Sequence, residues 1–292
     1  MPALMQEITL TLTSRPAMAA TFHFVFCACL GSYFNLFAWR WPQIQERQWM
    51  AEIREWFEEK GWTMPQVPPS EPKTLTLSTP GSFCPCCGVR IKPWHNVPLL
   101  GWLALRGRAA CCGKPISIKY PLFEALCGSL GAFAWLYFGE ATAAWTFLLL
   151  AMPLCMASQT DFESMMLPDS VTAFILFCGL GLAIFGLSHL SPRDAFIGMG
   201  SAFVTLAAIR IAGTWAFKRE AMGQGDPKLF AALGAWIGWA QLPQALLAAA
   251  LGGLIYALAR RTIVGDKNPV LPFGPFLAFG GLACYVWRPL LT

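Results

Sequence analysis

Apolar residues fall in long, nearly unbroken blocks along this chain, each closed by proline, glycine or a charge. A block of roughly 17 to 20 such residues is long enough to cross the hydrocarbon core of a bilayer as a helix. The blocks predict spans at Thr21–Trp39, Pro121–Phe138, Ala141–Ala157, Val171–Leu187, Ala195–Phe217, Leu229–Ala240, Leu242–Ala259 and Pro272–Trp287. The sixth is short, and only Gln241 and Pro243 part it from the seventh, so seven spans remain an alternative. The expected fold class is an all-α polytopic membrane protein of about eight transmembrane helices. The pattern divides the chain into 1–42 (N-terminal segment and first span), 43–119 (a long polar loop domain) and 120–292 (the membrane core).

The polar segment has a pattern of its own. Gln43 to Gly61 predicts an amphipathic helix with Trp49, Ile53, Trp56 and Phe57 on one face and Glu52, Glu55, Glu58 and Glu59 on the other. Such a helix suits a membrane interface, and its acidic side would also attract a basic peptide. Thr63 to Pro80 is rich in Pro, Ser and Thr without periodicity, and reads as a linker. The first span closes with Trp39-Arg40-Trp41-Pro42, where Trp and Arg suit the headgroup level and Pro42 is expected to end the helix. Within that span Asn35 is expected to hydrogen-bond to a neighbouring helix.

Composition agrees with the spans. Of 292 residues 56% are hydrophobic and 13% charged, about half the charge of a soluble domain. Met1 to Ala20 lacks the basic start and small-residue cleavage site of a removable signal peptide, so the first block is expected to stay as a span. With eight alternating spans, all but three of the 21 Lys and Arg fall on one face, the exceptions being Arg15, Arg193 and Arg288. That face is then cytoplasmic, and it carries residues 40–119 and the loops around Asp161, Asp226 and Asp266. The net charge of +5 follows from this bias and gives no reason to invoke nucleic acid. The lipid bilayer is the partner that composition implies.

Five of the eleven cysteines lie in the cytoplasmic segment, where thiols stay reduced and metal binding is the first thing to consider. Cys84-Pro-Cys86-Cys87-Gly88 is followed about two dozen residues later by Cys111-Cys112-Gly113, and the pair resembles a zinc ribbon. The first knuckle is well formed. The second would need cysteine at Ala109 and offers adjacent Cys111 and Cys112 instead, whose side chains would point apart in an extended segment. His95 or Cys86 could also complete a site, and reduced thiols without metal are the alternative.

The carboxylates near the spans are the other chemical signal, since charge at a membrane boundary is costly and usually functional. Asp226 lies on the glycine-hinged stretch Gly223-Gln224-Gly225-Asp226-Pro227-Lys228, and helix capping with Pro227 at the first helical position is its structural alternative. Asp161 follows the apolar run Trp145 to Met156, at a helix end where the macrodipole disfavours negative charge. Asp169 reads as a helix N-cap. Glu124 sits one turn inside its span, near a helix N-terminus that favours it. Leu271-Pro272-Phe273-Gly274-Pro275 resists regular helix, and broken backbone at membrane depth lines a cavity or packs on protein.

Taken in order, Gly31-Ser-x-x-Asn35, Arg40-x-Pro42, the cysteine knuckles, Asn96-x-Pro98, Tyr120-Pro-Leu-x-Glu124, Asp161, Leu167-Pro-Asp169, Gly223-x-Gly225-Asp226-x-Lys228 and Pro272-Phe-Gly-Pro275 resemble the type IV prepilin peptidases. The resemblance runs from Gly31 to Phe276. It implies an intramembrane aspartyl protease of eight spans in the bacterial inner membrane. Such enzymes remove a short basic leader from type IV prepilins and pseudopilins at the cytoplasmic face. Many then methylate the new N-terminus with S-adenosylmethionine. It implies Asp161 and Asp226 as the catalytic pair, supported by Gly223, Gly225, Lys228, Asp169 and Glu124. For a structural zinc it implies Cys84, Cys87 and Cys112, with Ala109 where the remaining family cysteine would be; Cys111 is the thiol this chain offers in its place. Thr160 also departs from the apolar residue usual before the first aspartate.

The chemistry such a pair performs follows from proximity. Two close carboxylates share one proton, the ionised one taking a proton from water and the neutral one donating to the developing oxyanion. No glycine-rich strand-to-helix signature marks a methyl-donor site. Two other classes compete: an ion-coupled carrier using Asp161 and Asp226 as proton or cation sites, and a thiol- or zinc-dependent anchor whose active part is the cytoplasmic loop.

Overall fold

The computed structural model describes residues 16–63, 75–220, 222–265 and 271–287. The signal-peptide question before Pro16, the middle of the expected linker and the loop at Asp266 fall outside them. The helices are α1 (Pro16–Glu59), α2 (Leu100–Ala104), α3 (Lys119–Phe138), α4 (Ala141–Ser164), α5 (Asp169–Ile184), α6 (Pro192–Phe217), α7 (Gly225–Ile237), α8 (Leu242–Ala259) and α9 (Gly274–Trp287). Among the described residues the only β pairing is two isolated bridges, Phe83 with Arg90 and Arg108 with Pro115. By length and composition α1, α3, α4, α6 and the run Trp239–Ile263 around α8 can cross a membrane, while α5 and α9 are shorter apolar helices. The chain forms two compact units, Met1–Tyr137 and Phe138–Thr292.

In the first unit α1 is one helix of 44 residues that runs through Pro42, so the expected stop there is wrong. Proline lacks the N–H that would reach the Ala38 carbonyl, and its ring crowds that carbonyl, yet the helix continues. The Gln43 side chain donates to the Trp39 carbonyl at 2.7 Å, supplying a donor beside the gap. The span and the amphipathic segment are therefore continuous. The buried side of α1 recurs at helical spacing through Ala20, Cys27, Gly31, Phe34 and Ala38. A Cβ on Gly31 would meet Cys127 at 3.0 Å and the Glu124 backbone at 3.1 Å, so α3 packs tightly on that side. The Asn35 amide donates to the Tyr120 carbonyl at 3.3 Å, the interhelical bond expected of it.

Arg40 faces protein. It is buried, and its guanidinium donates to the carbonyls of Thr76, Leu77, Pro80 and Gly81. A forked donor suits a segment whose carbonyls have no ladder of their own. The far end of the linker is thereby pinned to α1. By contrast Trp49, Ile53 and Trp56 stay exposed along the polar segment of the same helix, as an interfacial helix requires.

In the second unit α7 is central, packing against α5, α6 and α9. Every residue from Leu229 to Ile237 is buried, as expected of a helix apolar on all sides. Its 13 residues extend about 20 Å, short of a bilayer core of about 30 Å. The expected sixth span thus ends at Ile237 and not Ala240, stopped by Gly238 at φ 75°. Gly198 of α6 and Gly234 of α7 each face the other's carbonyl oxygen, which explains how these helices approach so closely. Trp236 donates to the Ile175 carbonyl at 2.8 Å, tying α7 to α5.

Candidate functional site

Asp161 lies within α4, in its last turn. The helix continues to Ser164 and closes at Met165 in the left-handed region, whose N–H donates to the Asp161 carbonyl at 2.9 Å. The helix end expected for Asp161 is borne out, with α4 running on past the expected Ala157 to Ser164. Thr160 before it is fully buried, and its hydroxyl bonds back to the Met156 carbonyl at 2.9 Å, which lets a polar residue stand in a dry place. The Asp161 carboxylate is buried, and its Oδ2 accepts the backbone N–H of Gly274 at 2.9 Å. The broken segment before α9 therefore packs on protein, as its sequence suggests.

Asp226 is the second residue of α7, with Gln224 at the cap position and making no side-chain cap bond. Capping does not explain this aspartate. Its carboxylate is buried, and a Cβ on Gly223 would stand 3.3 Å from its Oδ2. Both acids come to the ends of their helices beside Leu167. A Cβ on Gly225 would meet Leu167 at 2.8 Å; one on Gly274 would meet Asp161 Oδ2 at 2.8 Å and Leu167 at 3.0 Å. The two glycines are small because Leu167 and the carboxylate fill the space. Gly274 and Leu167 both stand in quoted sequence motifs. Proline and glycine there marked irregular backbone, but no local pattern pointed to the partner at Asp161.

The other expected support residues have different surroundings. Asp169 is the first residue of α5, and Pro168, not Asp169, occupies the cap position. Lys228 Nζ holds both Asp169 oxygens at 2.7 and 2.8 Å, in a pair largely open to solvent. An ammonium draws the carboxylate away from the helix N–H groups. Glu124 belongs to the first unit, where its buried Oε2 accepts the Leu99 N–H at 2.8 Å. Leu99 has φ 60°, so Glu124 holds a strained corner of the polar segment.

The thiols of Cys84, Cys87, Cys111 and Cys112 all lie within 4.8 Å of one another. Cys84 and Cys112 are 3.8 Å apart and Cys87 and Cys111 3.3 Å. The edge of a tetrahedron with Zn–S bonds of 2.3 Å is about 3.8 Å, so the cluster fits a zinc-sized ion. His95 and Cys86 are not among the four. The expectation that adjacent Cys111 and Cys112 diverge fails because they sit in a turn and not in extended chain. The Cys84 thiol is pushed down to about 6 by the backbone N–H groups of Cys87 and Cys86. That of Cys111 is pushed up to about 12, chiefly by its hydrogen bond with Cys87.

Near the first knuckle lies a cavity of about 490 Å³ lined by Pro80, Gly81, Phe83, Gly88 and Arg90. It offers a guanidinium and an aromatic ring but no carboxylate for amino or ribose groups. It does not fit S-adenosylmethionine.

Two family models match the chain: the bacterial peptidase A24 N-terminal domain over residues 25–138, and the type IV leader peptidase family over residues 148–258. A prepilin leader peptidase/N-methyltransferase of Burkholderia pseudomallei (strain 1026b) is 39% identical over 272 residues, covering 91% of this chain and 84% of its own. The protein of the same name from Stutzerimonas stutzeri is 36% identical, covering 92% of each chain. That from Pseudomonas aeruginosa is 35% identical, again covering 92% of each. No solved structure matches. With relatives of this identity along nearly its whole length, the chain belongs to the type IV leader peptidase family.

Proposed function

We propose that this chain is an intramembrane aspartyl endopeptidase that removes the leader from type IV prepilins and pseudopilins and then N-methylates the new terminus. The observation that carries the peptidase half is the convergence of two buried carboxylates, Asp161 and Asp226, 65 positions apart in the chain, at neighbouring helix ends. Family membership leaves the ion-coupled carrier without support. The chain is a bacterial membrane protein; in an inner-membrane setting the bias of Lys and Arg supports an orientation with this site toward the cytoplasm.

Two carboxylates this close hold one proton between them. The ionised carboxylate takes a proton from a water molecule, whose oxygen attacks the scissile carbonyl. The neutral partner gives its proton to the oxyanion. The tetrahedral intermediate then collapses, the C–N bond breaks and the amine leaves with a proton from the pair. The Gly274 N–H on Asp161 orients that acid before substrate arrives, and Gly223 leaves room beside Asp226. Backbone donors of this kind need no reorganisation during the reaction. Bound S-adenosylmethionine would supply an electrophilic methyl group to the new amine. A zinc ion held by Cys84, Cys87, Cys111 and Cys112 would be structural, since four thiolates leave no open position.

Purified protein in detergent, incubated with a prepilin with and without S-adenosylmethionine, tests both activities by mass spectrometry of the product. The expected result is leader loss in both samples, with a mature terminus heavier by one methyl group only when the donor is present. An intact precursor in both would sink the peptidase proposal.

A further inference from the structure

The two cysteine knuckles are one backbone written twice, 25 positions apart (Cys84 to Ala109). In the first, Cys84 N–H donates to Val89, Gly88 N–H returns to Cys84, and Ile91 N–H donates to Ser82, at 2.9, 2.9 and 2.8 Å. In the second, Ala109 N–H donates to Lys114, Gly113 N–H returns to Ala109, and Ile116 N–H donates to Gly107, at 2.8, 2.8 and 2.7 Å. The bridge Phe83 with Arg90 repeats as Arg108 with Pro115. Gly88 and Gly113 take the same left-handed conformation, φ 71° and 69°, where glycine avoids a Cβ clash.

At that offset Cys87 corresponds to Cys112, Cys86 to Cys111, and Cys84 to Ala109. The repeated backbone thus assigns a ligand corner to residue 109, where alanine has no donor atom. The corner is nonetheless filled: Cys111 Sγ stands 3.3 Å from Cys87 Sγ, inside the four-thiol cluster. Its counterpart Cys86 is exposed and outside that cluster. A tetrahedral site has four corners. In the first knuckle Cys84 takes the corner and Cys86 turns out. In the second, Ala109 leaves it open and Cys111 turns in.

We propose that Cys111 is a register-shifted metal ligand, taking the corner that the knuckle backbone assigns to residue 109, and that Cys86 is the spare thiol of the pair. This rests on the metal-site reading of the cluster and is independent of the peptidase proposal. Cobalt(II) replaces zinc as the probe, because its thiolate charge-transfer band grows with each sulfur bound.

Full-length protein in detergent is titrated with cobalt(II). Wild type and Cys86→Ser are expected to show one tetrahedral four-thiolate cobalt per chain. Cys111→Ser should lose about a quarter of the band and bind more weakly, and adding Ala109→Cys to Cys111→Ser should restore both. An unchanged band in Cys111→Ser, or no recovery in the double variant, overturns the shift while leaving the metal site standing. No cobalt binding by wild type overturns the metal reading and the shift with it. Alkylation of metal-loaded wild type, located by fragmentation mass spectrometry, gives the same answer without relying on a variant that folds. Cys86 should be labelled and Cys111 protected, and the reverse pattern refutes the assignment.

Discussion

The thiol cluster of the first unit and the carboxylate pair of the second are built in opposite ways. Each knuckle closes on itself within about eight residues through its own backbone bonds, so its shape survives a change of which residue carries the sulfur. The carboxylates sit at the ends of helices far apart in sequence. They are positioned by a single N–H group on Asp161 and by a leucine wedged against two glycines. A local turn tolerates a shifted ligand. A tertiary site has no second copy of its geometry, and a methyl group in the wrong place displaces the acid itself.

The largest effect that would test this contrast is on the acids. Asp161→Asn and Asp226→Asn each remove one partner of the shared proton, and each should lower precursor cleavage by about 10²–10⁴-fold or more in a gel-shift assay. Insertion into the membrane should be preserved. Retained cleavage in either would place the chemistry elsewhere. Next comes Gly274→Ala, whose Cβ would stand 2.8 Å from Asp161 Oδ2; a displacement approaching 1 Å costs about 10²-fold in rate. Wild-type cleavage in Gly274→Ala would mean that the carboxylate has more freedom than the packing suggests.

Smaller effects belong to stability. Glu124→Ala leaves the Leu99 N–H without its carboxylate partner and should destabilise the first unit by about 1–3 kcal/mol. Glu124→Gln, which keeps an acceptor, should lose less, and thermal unfolding in detergent separates the two. Asp169→Asn should matter least. Its pair with Lys228 is open to solvent and is worth at most about 1 kcal/mol, so cleavage should change little. A loss equal to that of Asp161→Asn would show that the ion pair supports the catalytic site.

Much of the helical order was legible because apolar blocks and their breakers are local signals. Helices cover Thr21–Trp39, Ala141–Ala157 and Ala195–Phe217, the first running on to Glu59 and the second to Ser164. Pro42 misled because one missing N–H does not outweigh favourable sequence on both sides. Asp169 misled because a distant lysine competes for the same carboxylate. Arg40 misled because Trp and Arg beside a span have the same local pattern whether they face lipid or bind a loop.

Alone, the sequence determined the membrane class, and it put forward the two acids and the five cysteines of the polar segment as candidates. Hydrophobicity and residue type carry those directly. Only the tertiary structure decided that Gly274 serves Asp161 across 113 positions, that Leu167 fills both glycine gaps, and that Cys111 enters the cluster while Cys86 does not. Those outcomes depend on which surfaces meet when helices pack and which side chain wins a shared space, and no window along the chain contains both competitors.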